Sequence, residues 1–183
     1  MVDADLRILW VGRQWDEFAL ENGGSKAVAN AVLSKPLDQY IAGEAVRQAI
    51  RAMIRAVVTH HHELSIDYRF DSPDVMRRFR LTVQPMQGDR VLMVHDLRDA
   101  QTFATPHLLQ HHDETAAVAK CAFCCAMRAP GGSWTPVETW PSPHPDTVRP
   151  TICPTCEERI EGALDAARVG RKPGKPIVGG FGP

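Results

Sequence analysis

Two pairs of cysteines carry the strongest chemical signal in this sequence. Cys121-Ala-Phe-Cys124 and Cys153-Pro-Thr-Cys156 each have the C-x-x-C spacing of a tight knuckle, in which both sulfurs point at one centre. Two such knuckles, separated by a loop of intermediate length, supply the four thiolates that zinc accepts in a tetrahedron. Protein sulfur then fills every coordination position, which predicts a structural ion with no place left for water or substrate. A module this small cannot hold itself together by apolar burial alone, so metal binding would supply much of its folding energy.

Other chemistries compete for the same residues. Iron in a rubredoxin-like site takes the same four sulfurs, although zinc is the commoner occupant. A thioredoxin-type redox pair belongs at the end of a strand in a βαβ setting, which the surrounding pattern does not supply. Covalent haem of the c type needs C-x-x-C-H, and position 125 is cysteine, so that chemistry is excluded. Five unrelated buried cysteines are hard to reconcile with two intact pairs. Cys125 is the surplus thiol, read here as an incidental small residue in preference to a substitute ligand or a reactive group beside the metal.

His60-His-His62 stands where the longest helix gives way to a strand. Imidazole can ligate a metal or haem, but an exposed histidine run at such a junction reads first as a solvated turn. His95 lies on a strand, and facing a cavity it would be the better haem candidate, although it reads first as an ordinary core or surface histidine. His111-His112 falls in a linker without an assigned role. Arg69, Arg77, Arg78 and Arg80 form a local basic patch, expected to be a solvated face, with phosphate contact as the minor alternative. Arg171, Lys172 and Lys175 near the end could touch nucleic acid, but three charges give only weak, salt-sensitive affinity. The sequence has no nucleophile elbow, phosphate loop, H-E-x-x-H or recognisably paired carboxylates, which favours a binding or signalling protein over an enzyme.

The elements that must position these residues are mixed. Leu6 to Val11 is a short β-rich run, and Glu17 to Leu20 is expected as a second strand. Asn22-Gly-Gly24 breaks the chain, and short helical pieces are expected over Ala27 to Leu33 and Leu37 to Ile41. Val46, Ile50, Met53, Ile54 and Val57 recur at helical spacing and predict the longest helix. Leu64, Ile66, Tyr68 and Phe70 then alternate with polar residues. So do Phe79, Leu81 and Val83, and a third strand is expected over Val91 to Leu97. Asp71-Ser-Pro-Asp74 and Gln87-Gly-Asp89 are the turns between them. Without βαβαβ alternation, an antiparallel α+β domain is preferred to a doubly wound parallel sheet. A polar linker follows, with short helix expected at Leu108-Leu109 and over Thr115 to Lys120. Pro154 opens an amphipathic helix with Ile160 and Leu164 on one side, and Trp134 and Trp140 are placed to cap the metal site.

A hydrophobic fraction of 44% with 23% charged residues is enough to bury a core, and a net charge of -1 creates no global field for nucleic acid or anionic membrane. No apolar run approaches the roughly 20 residues of a membrane span. The acidic start lacks a basic-then-apolar leader, so a soluble, reducing, cytoplasmic setting is expected, where paired cysteines are more often metal ligands or redox groups than disulfides.

Ile8-Leu-Trp-Val-Gly12 followed by Trp15-Asp-Glu-Phe18 resembles the first hairpin of PAS domains, and Leu33-Ser-Lys-Pro-Leu37 with Tyr40-Ile41 resembles the segment that enters their long helix. Phe70-Asp-Ser-Pro-Asp74, Arg77-Arg-Phe79 and Leu81-Thr-Val83 are similar to bacterial PAS-like proteins. The two cysteine pairs, with Trp134-Thr-Pro-Val-Glu138 between them, resemble a tail found in the same kind of protein. The likeness covers residues 6–98 and 121–164. It departs at Cys125 and Ala126, where basic residues are usual, and in the proline-rich loop 141–150. The resemblance implies a PAS-like antiparallel sheet with flanking helices over residues 1–100. A linker over 101–120, a zinc-knuckle module over 121–168 and, by composition, a disordered tail over 169–183 complete the chain.

It further implies a sensory or signal-transduction role through a partner such as a kinase or transcription component, or through a second copy of the chain. Haem, flavin or a small metabolite can occupy a PAS cavity. The light-driven flavin chemistry of some relatives needs a cysteine inside the domain, and none precedes residue 121. A zinc-ribbon nucleic-acid-binding regulator using the tail and Arg128, and a thiol redox protein using Cys124, Cys125 or Cys153, are the competing classes.

Overall fold

Alternation of apolar and polar side chains builds the first sheet. The computed structural model describes residues 1–21, 23–104 and 110–171. Strands β1 (Leu64–Arg69), β2 (Val75–Met86) and β3 (Arg90–Thr102) form an antiparallel meander in the order β1-β2-β3. The register pairs Leu64 with Val83, Ile66 with Leu81 and Pro85 with Val91, so the buried Leu64, Ile66, Leu81, Val83 and Val91 share one face. Opposite this face lies α3 (Glu44–His60), whose Met53, Ile54 and Val57 are fully buried in the same cluster. Its start is closed by Gly43 at φ 89° and its end by His61 in the left-handed conformation.

The segment before α3 departs from the expected hairpin. Glu17 to Leu20 belongs to the helix α1 (Trp15–Glu21), not to a strand. Four residues are too few for periodicity to separate strand from helix, and Asp16 and Glu17 suit a helical first turn. The Trp15 indole Nε1 donates to the Ala27 carbonyl at 2.6 Å, and the Asp16 carboxylate accepts from the Ala29 amide at 2.6 Å, which fastens this helix to the next turns. Leu6 to Val11 is likewise no continuous strand, because Leu6 takes φ 62°; isolated bridges join Val2 to Ile8 and Val91, and Arg7 to Pro36. A 3-10 turn (Ser25–Ala27), α2 (Ala29–Val32) and a second 3-10 turn (Leu37–Tyr40) supply the expected short helical pieces, split at the extended Val28.

The linker contributes to a second, mixed sheet. Thr115 to Lys120, expected as helix, is a turn that runs into β5 (Ala119–Cys121). With β4 (His111–His112), β6 (Met127–Arg128) and β7 (Thr147–Thr151), it forms the order β4-β7-β5-β6. β7 runs parallel to β4 and β5, and β5 antiparallel to β6. Strands of two to five residues carry no readable period, which is why this sheet escapes pattern analysis. Leu108 and Leu109 lie outside the described residues, as do positions 172–183 of the expected tail. Residues 169–171 instead close α4 (Pro154–Arg168): the Arg171 amide donates to the Ala166 carbonyl and the Gly170 amide to the Ala167 carbonyl, with Gly170 at φ 65°. This is the Schellman pattern of hydrogen bonds.

The cysteine region and the meander share a core. Cys121, Phe123, Ile152, Cys153, Cys156, Ile160 and Ala167 are buried in the same apolar cluster as Ile54, Val57, Leu64 and Ile66. The second sheet also reaches α3 directly, because a Cβ on Gly43 would lie 2.7 Å from the Pro150 carbonyl oxygen. Among the described residues no helix is long and apolar enough to cross a membrane.

Gly43→Ala meets both a left-handed φ and the backbone of β7, so it should destabilise the fold by about 2–4 kcal/mol in urea unfolding. Gly88→Ala, at φ 70° in the β2–β3 turn with open space around it, should cost only about 1 kcal/mol.

Candidate metal centre

Each knuckle is built by the strand or helix it adjoins. β5 ends at Cys121, and the turn through Ala122, Phe123 and Cys124 is closed by the Cys125 amide donating to the Cys121 carbonyl at 3.0 Å. The Cys121 amide donates in turn to the Ala126 carbonyl at 2.8 Å. In the second knuckle, Cys153 is the residue before α4, Pro154 takes the first helical position, and the Cys156 and Glu157 amides both donate to the Cys153 carbonyl. Proline fits there because its missing N–H is one that the helix leaves unpaired.

Parallel pairing of β5 with β7 sets Cys121 beside Thr151 and carries the two knuckles together. The four sulfurs of Cys121, Cys124, Cys153 and Cys156 lie within 4.8 Å of one another, and Cys124 Sγ is 3.7 Å from Cys153 Sγ. Four sulfurs placed tetrahedrally at about 2.3 Å from zinc would be separated by about 3.8 Å. The cluster can therefore hold a metal ion. It is the one such group of His, Cys, Asp or Glu among the described residues. Cys121, Cys153 and Cys156 are buried and Cys124 is half-buried.

The electrostatics favour the thiolate at Cys121, while the neighbouring cysteines hold the Cys124 and Cys156 thiols above their ordinary value. Thiols of Cys124, Cys153 and Cys156 and the Cys153 amide converge on Cys121 Sγ, which lowers the pKa of Cys121. The α4 N-terminus directs its positive end at Cys153 and Cys156. Arg159 Nη1 reaches Cys156 Sγ at 3.8 Å while its Nη2 donates to the Asp67 carbonyl at 2.6 Å. Four thiolates around a divalent ion carry a net charge of about -2, and this outer cation offsets part of it.

Arg159 also ties the centre to the first sheet. Asp67 and Arg69 present their backbone groups on the free edge of β1. The Asp67 carbonyl takes the Arg159 bond, and the Arg69 amide donates to the Phe123 carbonyl at 2.8 Å inside the first knuckle. The knuckle thus covers a strand edge that would otherwise stand open.

Several residues play other parts than expected. Cys125 stays outside the sulfur cluster; its φ is 63°, its Sγ lies 3.9 Å from the Arg69 carbonyl, and burial pushes its thiol up to about 12. It packs with Met127, Val137 and Val148. Arg69 is not part of a solvated basic patch. It is 6% exposed, with its guanidinium paired to Asp71 at 2.5 Å and Glu138 at 2.7 Å. Sequence reasoning missed this triad, although the Asp71-Ser-Pro-Asp74 turn placed a carboxylate two residues from the arginine. Arg80 pairs with Asp67 at 2.7 Å, and Arg78 with Asp99 at 3.7 Å.

His62 Nδ1 meets the Ala167 carbonyl at 2.9 Å, joining the ends of α3 and α4, and His61 caps α3. His95 faces the Tyr68 hydroxyl at 2.8 Å, and His111 and His112 form β4. Trp134 packs against the core that holds the cysteines, whereas Trp140 packs on the small cluster around Cys125. Compared with known proteins, the chain matches no family model, no curated protein and no solved structure.

The geometry separates the fifth thiol from the other four. Cys153→Ser should abolish stoichiometric metal binding, whereas Cys125→Ala should keep it and lower stability by about 1 kcal/mol, as read by elemental analysis and urea unfolding. With metal bound, iodoacetamide should leave Cys125 unmodified on mass spectrometry. Because protons compete with the ion for the thiolates, metal affinity should fall steadily as pH is lowered.

Proposed function

We propose that this protein is a PAS-like signal-transduction module stapled by a structural zinc ion, which acts through a protein partner and not by catalysis. The observation that carries this reading is the closed four-sulfur cluster seated on the edge of the β1–β3 sheet and buried in its core. Such a site offers no open position for substrate, and its outward product is a rigid surface. Zinc is favoured over iron because four thiolates in a tetrahedron suit an ion without redox chemistry or geometric preference of its own.

A long helix on the inner face of an antiparallel meander, entered through short helical turns, supports the PAS-like reading. The helical Trp15–Glu21 segment is its clearest departure. Met53, Ile54 and Val57 pack into the face where PAS domains can hold haem, flavin or a metabolite, so the role is assigned to the surface. Large apolar side chains are exposed around α1 and the end of the sheet: Phe18, Leu20, Phe70 and Leu97. Phe18 meets Phe70 at a tilt and Phe79 edge-on, at centroid distances of 5.9 and 6.3 Å. A signalling kinase or a transcription component in the cytoplasm is the partner class proposed.

Purified protein should contain one zinc per chain and show neither a Soret band nor flavin absorbance. In affinity capture from its native cells, a kinase or transcription component should be enriched with wild type and lost with Phe18→Glu at unchanged zinc content. Insulin reduction by the zinc-loaded protein, or salt-dependent retention on DNA, would replace this reading with one of its competitors.

A further inference from the structure

Ala119 lies in the middle of three paired strands of the second sheet. In register with it stand Arg128 on β6 and Arg149 on β7, one on each side. Paired residues share a face, so two guanidinium groups flank a single methyl group on the same side of the sheet. Neighbouring strands are about 4.8 Å apart, which puts the two arginine backbones roughly 10 Å from one another, within converging reach of their side chains.

Both arginines line one depression of about 610 Å³, together with Ala116, Ala119 and the Gly131-Gly132 turn. No carboxylate is among its lining residues. Neither arginine makes an ion pair among the described residues, in contrast to Arg47, Arg51, Arg69, Arg78, Arg80 and Arg168. Asp113 and Glu114, on the strand side of Ala116, are engaged elsewhere: Asp113 accepts from Thr115, and Glu114 from the Gly43 amide. Arg128 is held in place by Trp134, with its guanidinium carbon 5.0 Å from the ring centre.

We propose that this depression binds a phosphate group of a small phosphorylated molecule between Arg128 and Arg149. Two planar guanidinium forks match the oxygens of a phosphate in geometry, and their charge of +2 matches a phosphomonoester, which carries about -1.5 to -2 at neutral pH. Alanine and glycine around the arginines leave room for the anion and its first substituent. A polynucleotide is disfavoured as the ligand, because two phosphate contacts on a chain of net charge -1 give little affinity for a polyanion. The cysteine cluster fixes the spacing of the site. β5 runs into Cys121, β6 follows Cys124, and β7 leads to Cys153, so the same knuckles that gather the sulfurs hold the two arginines apart. The inference rests on the proposed metal centre in that respect alone, and needs no particular protein partner.

Zinc-loaded protein at low salt, titrated with inorganic phosphate and with glycerol phosphate, tests it by NMR. Saturable shifts are expected at Ala119, Arg128, Gly131, Gly132 and Arg149, and acetate at equal concentration should bind at least tenfold more weakly. Arg128→Gln and Arg149→Gln should each weaken phosphate binding tenfold or more while metal analysis still finds one zinc per chain. Absence of saturation up to about 50 mM phosphate, where screening is still moderate, would overturn the proposal, as would shifts that map elsewhere or unchanged affinity in the double variant. Tighter binding of a single-stranded oligonucleotide than of glycerol phosphate, lost in the same variants, would assign the site to nucleic acid instead. A chain without zinc that still binds phosphate at these residues would remove the metal centre from the account and leave the anion site standing.

Discussion

Backbone pairing between β5 and β7 is the contact on which the rest of the C-terminal region depends. Only two short strands, β6 and β7, and a 3-10 turn lie between the two cysteine pairs, so their meeting is not a local event. Parallel alignment of Ala119–Cys121 with Arg149–Thr151 delivers both knuckles to one point and brings the start of α4 with them. A metal held by the four sulfurs would then cross-link the two strands and the helix, closing a long loop whose entropy opposes the arrangement in the free chain.

The link between that region and the meander is made of three kinds of interaction that reinforce one another. Apolar burial joins Ile152 and Ile160 to the cluster around Ile54, Val57 and Leu64. Backbone and guanidinium hydrogen bonds satisfy the outer edge of β1. The Arg69–Asp71–Glu138 triad places a buried charge at the joint with a partner from each side. A buried ion pair adds little net stability against an apolar alternative, but it penalises misdocking, because each charge would lose its counter-ion. The triad therefore argues for a fixed relative placement more than for strength.

Much of this architecture was legible in the residues. Period-two alternation located the three strands of the meander, and the recurrence of Val46, Ile50, Met53, Ile54 and Val57 located α3, because both patterns run long enough to exclude the other period. The cysteine quartet was legible for a different reason: C-x-x-C geometry is local, and sulfur chemistry restricts what two such pairs can do. What stayed hidden was either short or non-local. Glu17 to Leu20 gave too small a window to distinguish helix from strand, and β4, β5 and β7 pair with partners far along the chain. The same holds for Arg69, which looked like surface because its burial depends on Glu138, 69 residues away. Arg128 and Arg149 were adjacent to the cysteine pairs in sequence, yet only the register through Ala119 shows that they face each other.

The covered edge of β1 has a consequence for the protein as a material. When the knuckle is in place, the backbone groups of Asp67 and Arg69 are spoken for within the molecule. Were the sulfurs oxidised, or an ion held by them removed, so that the knuckle loosened, those groups would face outward on a strand rich in β-forming residues, ready to pair with the same strand of a second chain. Demetallation would then be felt first as self-adhesion and loss of solubility, with the meander itself still largely folded.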